Sequence, residues 1–121
     1  MSTQDPWPTE IRLAKDKRSL RVQFDDGQAF SLPAEFLRVV SPSAEVQGHS
    51  PEQRKTVPGK IDVSVSAVEP VGNYAVRLVF SDGHDTGLYS WRYLRKIGAE
   101  QAELWSGYLA ELDAKGLRRE T

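Results

Sequence analysis

Apolar and polar residues alternate along several short segments of this chain, and a period of two is typical of a strand with one buried face. The clearest example is segment 19–24, where Leu20, Val22 and Phe24 fall on the same side. The alternation predicts six strands, over residues 9–14, 19–24, 28–32, 61–68, 74–80 and 84–89. Pro70 is expected to end the strand before it, because proline cannot donate a ladder hydrogen bond.

Other segments have the spacing of amphipathic helices, which places apolar residues three and four positions apart. This spacing predicts helices over residues 34–40, 91–97 and 99–115. Ser90 is expected to cap the second helix, and Gly98 and Gly116 are expected to end the second and third. The five residues after Gly116 are predicted to be loose.

Residues 41–59 follow neither period, since they contain three prolines, two glycines and only two large aliphatic side chains. An irregular stretch of this length is uncommon inside a small domain. We interpret it as either a functional loop or a mobile surface loop.

Two parts of the sequence resemble each other, residues 20–38 and residues 76–95. Each reads as a strand, an Asp-Gly turn, a second strand and a short helix. The matching positions include Arg21, Phe24, Asp26 and Gly27 in the first copy, and Arg77, Phe80, Asp82 and Gly83 in the second. An internal duplication and a chance similarity of two common units both explain the match.

The predicted fold class is α+β, a mostly antiparallel sheet built from two similar strand–turn–strand–helix units plus a C-terminal helix. We place the domain at residues 9–98, followed by the C-terminal helix and tail at residues 99–121.

Composition narrows the class of protein. The chain has 121 residues, a net charge of −1 and no cysteine. This length fits one domain, and the balanced charge argues against nucleic-acid binding. Without cysteine there is no disulfide and no thiolate metal ligand. No apolar segment is long enough for a signal peptide or a membrane span, so we expect a soluble, cytoplasmic protein.

Candidate chemistry centres on the two histidines. His84 follows an Asp-Gly turn between Asp82 and Asp85, and His49 lies in the long loop. Together they offer a mixed nitrogen and oxygen site for iron or zinc. The alternative is that both are ordinary solvated histidines, since the spacing matches no standard zinc pattern.

No nucleophile elbow, P-loop or dinucleotide fingerprint occurs, so we predict no catalytic residue. Arg54 and Lys55, with Lys60 nearby, form a modest basic cluster that is a candidate contact for a partner protein. Trp91 is a second candidate contact. The alternatives are a solvated charged surface for the cluster and a core anchor for the tryptophan.

The runs EPVGNYA, F-x-DGH and Y-S-W-x-Y-L, between residues 69 and 94, resemble a known family. They are similar to the domain of unknown function DUF971, which is related to the N-terminal domain of gamma-butyrobetaine hydroxylase. The resemblance covers about residues 9–98.

The resemblance implies a small domain that, in the hydroxylase, helps dimerisation and holds zinc with three cysteines and one histidine. The histidine matches His84, and the cysteines fall where this chain has Ser41, Ser43 and Val46 or their neighbours. Because none of these is cysteine, we expect that zinc site to be lost. The oxygenase domain has no counterpart in 121 residues, so we expect no hydroxylase activity.

Similar domains are also fused to P-loop ATPases that handle iron–sulfur clusters. The function favoured here is therefore a non-catalytic protein-interaction module, an accessory in iron–sulfur or iron metabolism, with a protein of the assembly machinery as partner. The alternative is a metal-binding domain on His84 and His49. An enzymatic role in a groove under the long loop is a third hypothesis, and a homodimer is compatible with the family.

Overall fold

The structure is a computed structural model that describes residues 6–48 and 51–120. Within these residues, three strands followed by two helices occur twice along the chain, which agrees with the two predicted units. The strands are β1 (Pro8–Leu13), β2 (Ser19–Phe24), β3 (Ala29–Pro33), β4 (Val65–Val71), β5 (Ala75–Phe80) and β6 (Leu88–Ser90). The helices are α1 (Ala34–Val39), α2 (Ala44–Gln47), α3 (Trp91–Ala99) and α4 (Gln101–Ala114), with a 3-10 turn at Pro51–Gln53.

The strands form two antiparallel sheets. The first sheet has the order β1-β2-β3 and the second has the order β4-β5-β6. Val22 lies opposite Phe30 in the first, and Val76 lies opposite Tyr89 in the second. The α+β class, the antiparallel pairing and the C-terminal helix are confirmed, and each predicted unit contributes a sheet of its own.

Both predicted Asp-Gly hairpins are present, and they have the same hydrogen bonding. The glycine amide donates to the phenylalanine carbonyl at 3.1 Å from Gly27 to Phe24 and at 3.0 Å from Gly83 to Phe80. Both glycines have a positive φ, 88° and 91°, a conformation that costs a residue with a Cβ more than it costs glycine.

A single core joins the two sheets. The amide of Val65 at the start of β4 donates to the carbonyl of Lys17, 2.8 Å away, which ties the second sheet to the first. The core side chains come from both units: Leu20, Val22, Phe24, Leu32, Phe36, Leu37, Val65, Val76, Leu78, Phe80, Tyr89, Leu94 and Ile97. Since neither sheet has a separate core, we expect the two units to unfold together.

Two ion pairs cross from one unit to the other. Arg95 of α3 contacts Asp26 in the first hairpin, with 3.0 Å between Nε and Oδ2. Arg38 of α1 contacts Asp82 in the second hairpin, with 2.8 Å between the same atoms. Each hairpin is therefore bound by the helix of the other unit, and duplication stays a hypothesis about how this arrangement arose.

Two strand predictions are wrong in their bounds. The strand predicted over residues 61–68 begins at Val65 and runs through Pro70 to Val71. Proline is tolerated there because β4 is an edge strand of its sheet. The strand predicted over residues 84–89 is reduced to Leu88–Ser90, since the segment before it bonds through its side chains instead.

The predicted helix end at Gly98 is also wrong. Helix α3 continues to Ala99, and Gly98 packs against Phe30. Ser90 caps α3 as predicted, accepting a hydrogen bond from the amide of Tyr93. In the long loop, Ser43 caps the short helix α2, so this stretch is less irregular than its composition indicates.

The tail after Gly116 is docked, contrary to prediction. The amides of Gly59 and Ile61 donate to the carbonyls of Arg118 and Arg119, at 2.8 and 3.1 Å. None of the helices in the described residues is both long and apolar enough to cross a membrane.

Candidate functional site around His84

His84 lies just after the second hairpin turn, and its side chain is buried. The ring atom Nε2 is 2.9 Å from Oγ of Ser41, and Nδ1 is 3.2 Å from Oε2 of Glu45. Burial lowers the pKa of His84, and the positive charge of Arg38 lowers it further against the opposing effect of the Glu45 and Asp82 carboxylates, so the neutral imidazole is favoured at pH 7. An ionised carboxylate only accepts, so Nδ1 donates to Glu45 and Nε2 accepts from the Ser41 hydroxyl.

The start of the long loop supplies the other polar groups of this cluster. Oγ of Ser43 is 2.7 Å from Oγ1 of Thr86, and it also accepts the amide of Glu45 at 3.2 Å. The side-chain amide of Gln47 donates to the carbonyl of Ser41 at 2.8 Å. We call Ser41, Ser43, Glu45, His84 and Thr86 the His84 cluster. Its members satisfy one another's hydrogen bonds, which fixes the loop against the second unit.

The hydrogen bonds connect Ser41 to His84 and His84 to Glu45, as the serine, histidine and carboxylate of a hydrolytic triad are connected. However, Ser41 is fully buried, and a Cβ added to Gly87 would lie 2.6 Å from its Oγ. A substrate carbonyl therefore has no room to approach the hydroxyl. The order of groups is that of a catalytic site, but the packing is that of a structural network.

Asp82, a predicted metal ligand, is held by cations. Its Oδ2 is 2.8 Å from Nε of Arg38 and 2.6 Å from Nζ of Lys60, and its Oδ1 accepts the amide of His84. Burial raises the pKa of Asp82, but the Lys60, His84 and Arg38 hydrogen bonds outweigh it and lower the pKa to about 2. The Nη1 atom of Arg38 is buried without a hydrogen-bond partner.

The remaining predicted metal ligands do not join His84 in the described residues. Asp85 faces Arg77, with 3.4 Å between Oδ2 and Nη1. His49 lies outside the residues that the structure describes. In residues 6–48 and 51–120, no group of three or more His, Cys, Asp and Glu side chains is placed to hold a metal ion.

The zinc site that the family resemblance implies does not fit this chain. Ser41 does lie beside His84, where the resemblance places a cysteine, whereas the Ser43 hydroxyl contacts Thr86. A neutral hydroxyl is a far weaker zinc ligand than a thiolate, and both ring nitrogens of His84 already have hydrogen-bond partners. The side chains present therefore lack the thiolates that this three-cysteine, one-histidine zinc site requires.

The predicted partner contacts are in different environments. Arg54 is paired with Glu111 of α4, whereas the side chain of Lys55 is exposed. Trp91, the first residue of α3, donates from Nε1 to the carbonyl of Asn73 at 2.8 Å. Its ring meets Trp7 edge to face, with 6.4 Å between centroids.

Tyr74 lies beside this tryptophan pair, since its carbonyl accepts the amide of Trp91 at 3.1 Å. We call Trp7, Tyr74 and Trp91 the aromatic patch. Trp7 is 49% exposed and Tyr74 is 55% exposed, which is unusual for side chains of this size.

Sequence reasoning missed Glu45, Thr86 and Arg38. Only the family resemblance drew attention to Ser41 and Ser43, because no local pattern links residues more than 40 positions apart. Sequence reasoning also missed that Trp7 contacts Trp91.

Replacing Asp82 with asparagine is expected to lower the free energy of unfolding at pH 7 by about 1 kcal/mol, allowing for partial solvent exposure. The folded-state pKa of about 2 lies below the ordinary value of 3.8, so Asp82 stabilises the fold above pH 3.8. This contribution disappears as the pH falls from 3.8 to 2. Urea unfolding of both proteins at several pH values measures it.

The matched control is Asp26→Asn in the first hairpin. Its side chain is 45% exposed, compared with 20% for Asp82, so the loss should be smaller. Equal losses in the two variants, or a difference between wild type and Asp82→Asn that is as large at pH 2 as at pH 7, would show that the cation pairs do not stabilise this hairpin.

Comparisons with known proteins agree with this fold. Two protein structures solved by NMR in solution each have a TM-score of 0.83 to this chain. One is 44% identical in sequence, and the match covers 97% of this chain and 92% of the other chain. The other is 48% identical and covers 99% and 89%.

A crystal structure of a DUF971 family protein of unknown function from Acidithiobacillus ferrooxidans is 45% identical, with a TM-score of 0.63. It covers 77% of this chain and 93% of its own. The comparison with curated proteins finds no match. A family model described as gamma-butyrobetaine hydroxylase-like, N-terminal, matches residues 11–95. The chain therefore belongs to the gamma-butyrobetaine hydroxylase-like N-terminal family, also called DUF971.

Proposed function

We propose that this protein is a non-catalytic module that binds a partner protein through the aromatic patch. The observation that carries the proposal is the exposure of Trp7 and Tyr74 beside Trp91. Tryptophan and tyrosine are enriched in protein interfaces because they bury a large area at a low entropic cost. As long as no partner is bound, the exposed Trp7 and Tyr74 rings keep this apolar area in contact with water.

The packing of the patch supports a binding role. The Nε1 bond to Asn73 and the edge-to-face contact with Trp7 hold the Trp91 ring in one orientation. The amide of Asp25 donates to the carbonyl of Trp7 at 2.9 Å, which ties the Trp7 backbone to the first hairpin. An interface formed by preordered side chains loses less entropy on binding.

The non-catalytic part of the proposal rests on the His84 cluster. Its serine and histidine are buried and mutually bonded, so the cluster offers no accessible nucleophile or base. Arg54, paired with Glu111, is better explained as a link between the long loop and α4 than as a partner contact.

The experiment compares three forms of the chain as bait: wild type, a Trp7→Ser/Tyr74→Ser double variant, and Leu109→Ser. Leu109 is an exposed apolar residue of α4 and serves as the matched control. We expect wild type and Leu109→Ser to capture the same specific protein. We expect the double variant to lose it, with at least a tenfold weaker Kd for the purified pair. Equal capture by all three forms would contradict the proposal.

A finer proposal is that this partner belongs to the machinery that assembles iron–sulfur clusters. Its support is the fusion of similar domains to ATPases that handle such clusters, an argument from relatives rather than from a contact. Mass spectrometry of the captured protein tests it. A specific partner from an unrelated process would overturn this part and leave the binding module intact.

The second candidate function is an iron or zinc site on His84, with His49 as a further ligand. One observation favours it: a carboxylate oxygen of Glu45 and the hydroxyl oxygen of Ser41 already contact the two ring nitrogens of the imidazole. If this function holds, elemental analysis of untagged protein gives about one equivalent of metal per chain, and His84→Ala loses it. Unchanged metal content in His84→Ala would rule out His84 as a ligand.

A further inference from the structure

A second polar site lies away from the His84 cluster, where the tail meets α1. Glu35, in the first turn of α1, is only 7% exposed. Both of its carboxylate oxygens accept from Arg119, with 2.9 Å between Oε2 and Nε and 2.7 Å between Oε1 and Nη2. This two-bond geometry is specific for a guanidinium group.

An aromatic ring completes the recognition of that guanidinium. The Arg119 Cζ atom lies 5.2 Å from the centre of the Trp105 ring, within the range of a cation–π contact. The positive group is therefore bound by a buried carboxylate on its edge and by an indole on its face. Together they form a preorganised site for an arginine side chain.

The space around the site is not filled by the tail. A cavity of about 590 Å³ is lined by Glu35, Trp105, Gly98 and Arg119. A smaller one of about 160 Å³ is lined by Arg18, Glu35 and Arg119. The Arg119 side chain lies at the border of both cavities and is 36% exposed. The site therefore has unfilled volume on both sides of the Arg119 side chain.

The tail itself is held by few bonds. After the αL residue Gly116, three backbone hydrogen bonds attach it to the body of the chain: Leu117 donates to the carbonyl of Leu112, and the amides of Gly59 and Ile61 donate to the tail. The side chains of Leu117 and Arg118 are exposed. A segment with so few buried contacts belongs to the part of a fold that opens at the lowest cost.

We infer that the pocket formed by Glu35 and Trp105 is an arginine-binding site, which Arg119 occupies in cis and which an arginine-bearing segment of a partner protein occupies when it displaces the tail. The charge of the buried Glu35 carboxylate selects a cation. The two parallel hydrogen bonds to this carboxylate and the stacking on the Trp105 ring select a guanidinium over an ammonium group. This site shares no residue with the aromatic patch, so its failure and that of the proposed function are distinguishable.

The test uses the full chain with Arg119→Ala, which empties the side-chain site and leaves the tail backbone in place. The probe is ethylguanidinium, and the readout is the NMR signal of the Trp105 indole N–H. We expect saturable binding to Arg119→Ala at least tenfold tighter than to wild type, where Arg119 competes for the same site as part of the same chain. Ethylammonium is expected to bind more weakly.

Arg118→Ala is the matched control, because it removes a neighbouring arginine whose side chain is exposed. It should behave like wild type. Adding Glu35→Gln to Arg119→Ala should abolish binding of the probe. No binding to folded Arg119→Ala, or equal binding after Glu35→Gln, would overturn the inference.

A measurement on wild type covers the case in which Arg119→Ala fails to fold. At high concentrations of ethylguanidinium, the amide signals of residues 118–120 should move toward random-coil positions while those of α1 remain folded. Tail signals that stay unchanged up to the concentration that unfolds the chain would also overturn the inference.

Discussion

Replacing Tyr89 with alanine is expected to lower the free energy of unfolding by about 3–5 kcal/mol, as for other large aromatic side chains in cores. Tyr89 is fully buried in β6, opposite Val76 of β5. Its hydroxyl donates to the carbonyl of Leu37 in α1, so one side chain connects the second sheet to the helix of the first unit. Urea unfolding followed by circular dichroism measures the loss.

Tyr89→Phe separates the hydrogen bond from the packing. It keeps the ring and leaves the Leu37 carbonyl without this donor, which should cost about 1–2 kcal/mol. Burial raises the pKa of Tyr89 well above its usual range, so the hydroxyl stays protonated and donates throughout the range from pH 5 to 9. The expected cost is therefore independent of pH between 5 and 9.

Tyr93→Phe is the matched control, because the Tyr93 hydroxyl also donates to a carbonyl of the first unit, that of Val40. Tyr93 is only partly buried, so its loss should be smaller than that of Tyr89→Phe. If Tyr89→Ala costs less than 1 kcal/mol, or if the fluorescence and circular dichroism transitions separate, the two units do not form one cooperative domain.

The local patterns of the sequence predict the hairpins well, because the interactions that form them are local. Period-two alternation and an Asp-Gly pair determine β2, β5 and both turns within a dozen residues. The Ser90 cap depends on a bond to an amide three positions away. Such features need no knowledge of the rest of the chain.

The errors come from contacts between distant segments. Pro70 lies inside β4 because that strand is at a sheet edge, and the position of a strand in a sheet is not visible in a window of ten residues. The tail is docked by Arg119, which pairs with a carboxylate 84 positions earlier. A charged residue in a polar tail gives no local sign of a buried partner.

In the candidate site, too, local patterns were predictable and contacts between distant segments were not. Sequence spacing drew attention to His84 and its neighbour Asp82 as metal ligands, but it could not show that Arg38 and Lys60 bind the Asp82 carboxylate. It also gave no sign of the crossed pairing in which α1 binds the second hairpin and α3 binds the first. Repeated motifs indicate which residues form pairs, but not which copy supplies each partner.

Replacing Gly98 with alanine is expected to destabilise the fold by about 1–3 kcal/mol, although alanine is the better helix former. A Cβ at this position in α3 would lie 2.6 Å from Cγ and Cδ2 of Phe30. The ring cannot simply rotate away, because the Arg95 Cζ atom lies 5.3 Å from its centre and the Phe24 ring packs against it in a T-shaped pair with 6.2 Å between centroids. The overpacking therefore exceeds the gain in helix propensity.

Gly107→Ala is the matched control and should have the opposite effect. Gly107 lies in the middle of α4, and a Cβ there would meet no atom within 4 Å. With no clash, the substitution should stabilise the fold by about 0.5–1 kcal/mol through helix propensity alone. Thermal unfolding of both variants measures whether Gly98→Ala is destabilised and Gly107→Ala is stabilised relative to wild type. A stabilised Gly98→Ala would mean that α3 can move away from β3, and that the contact between the units at Phe30 is loose.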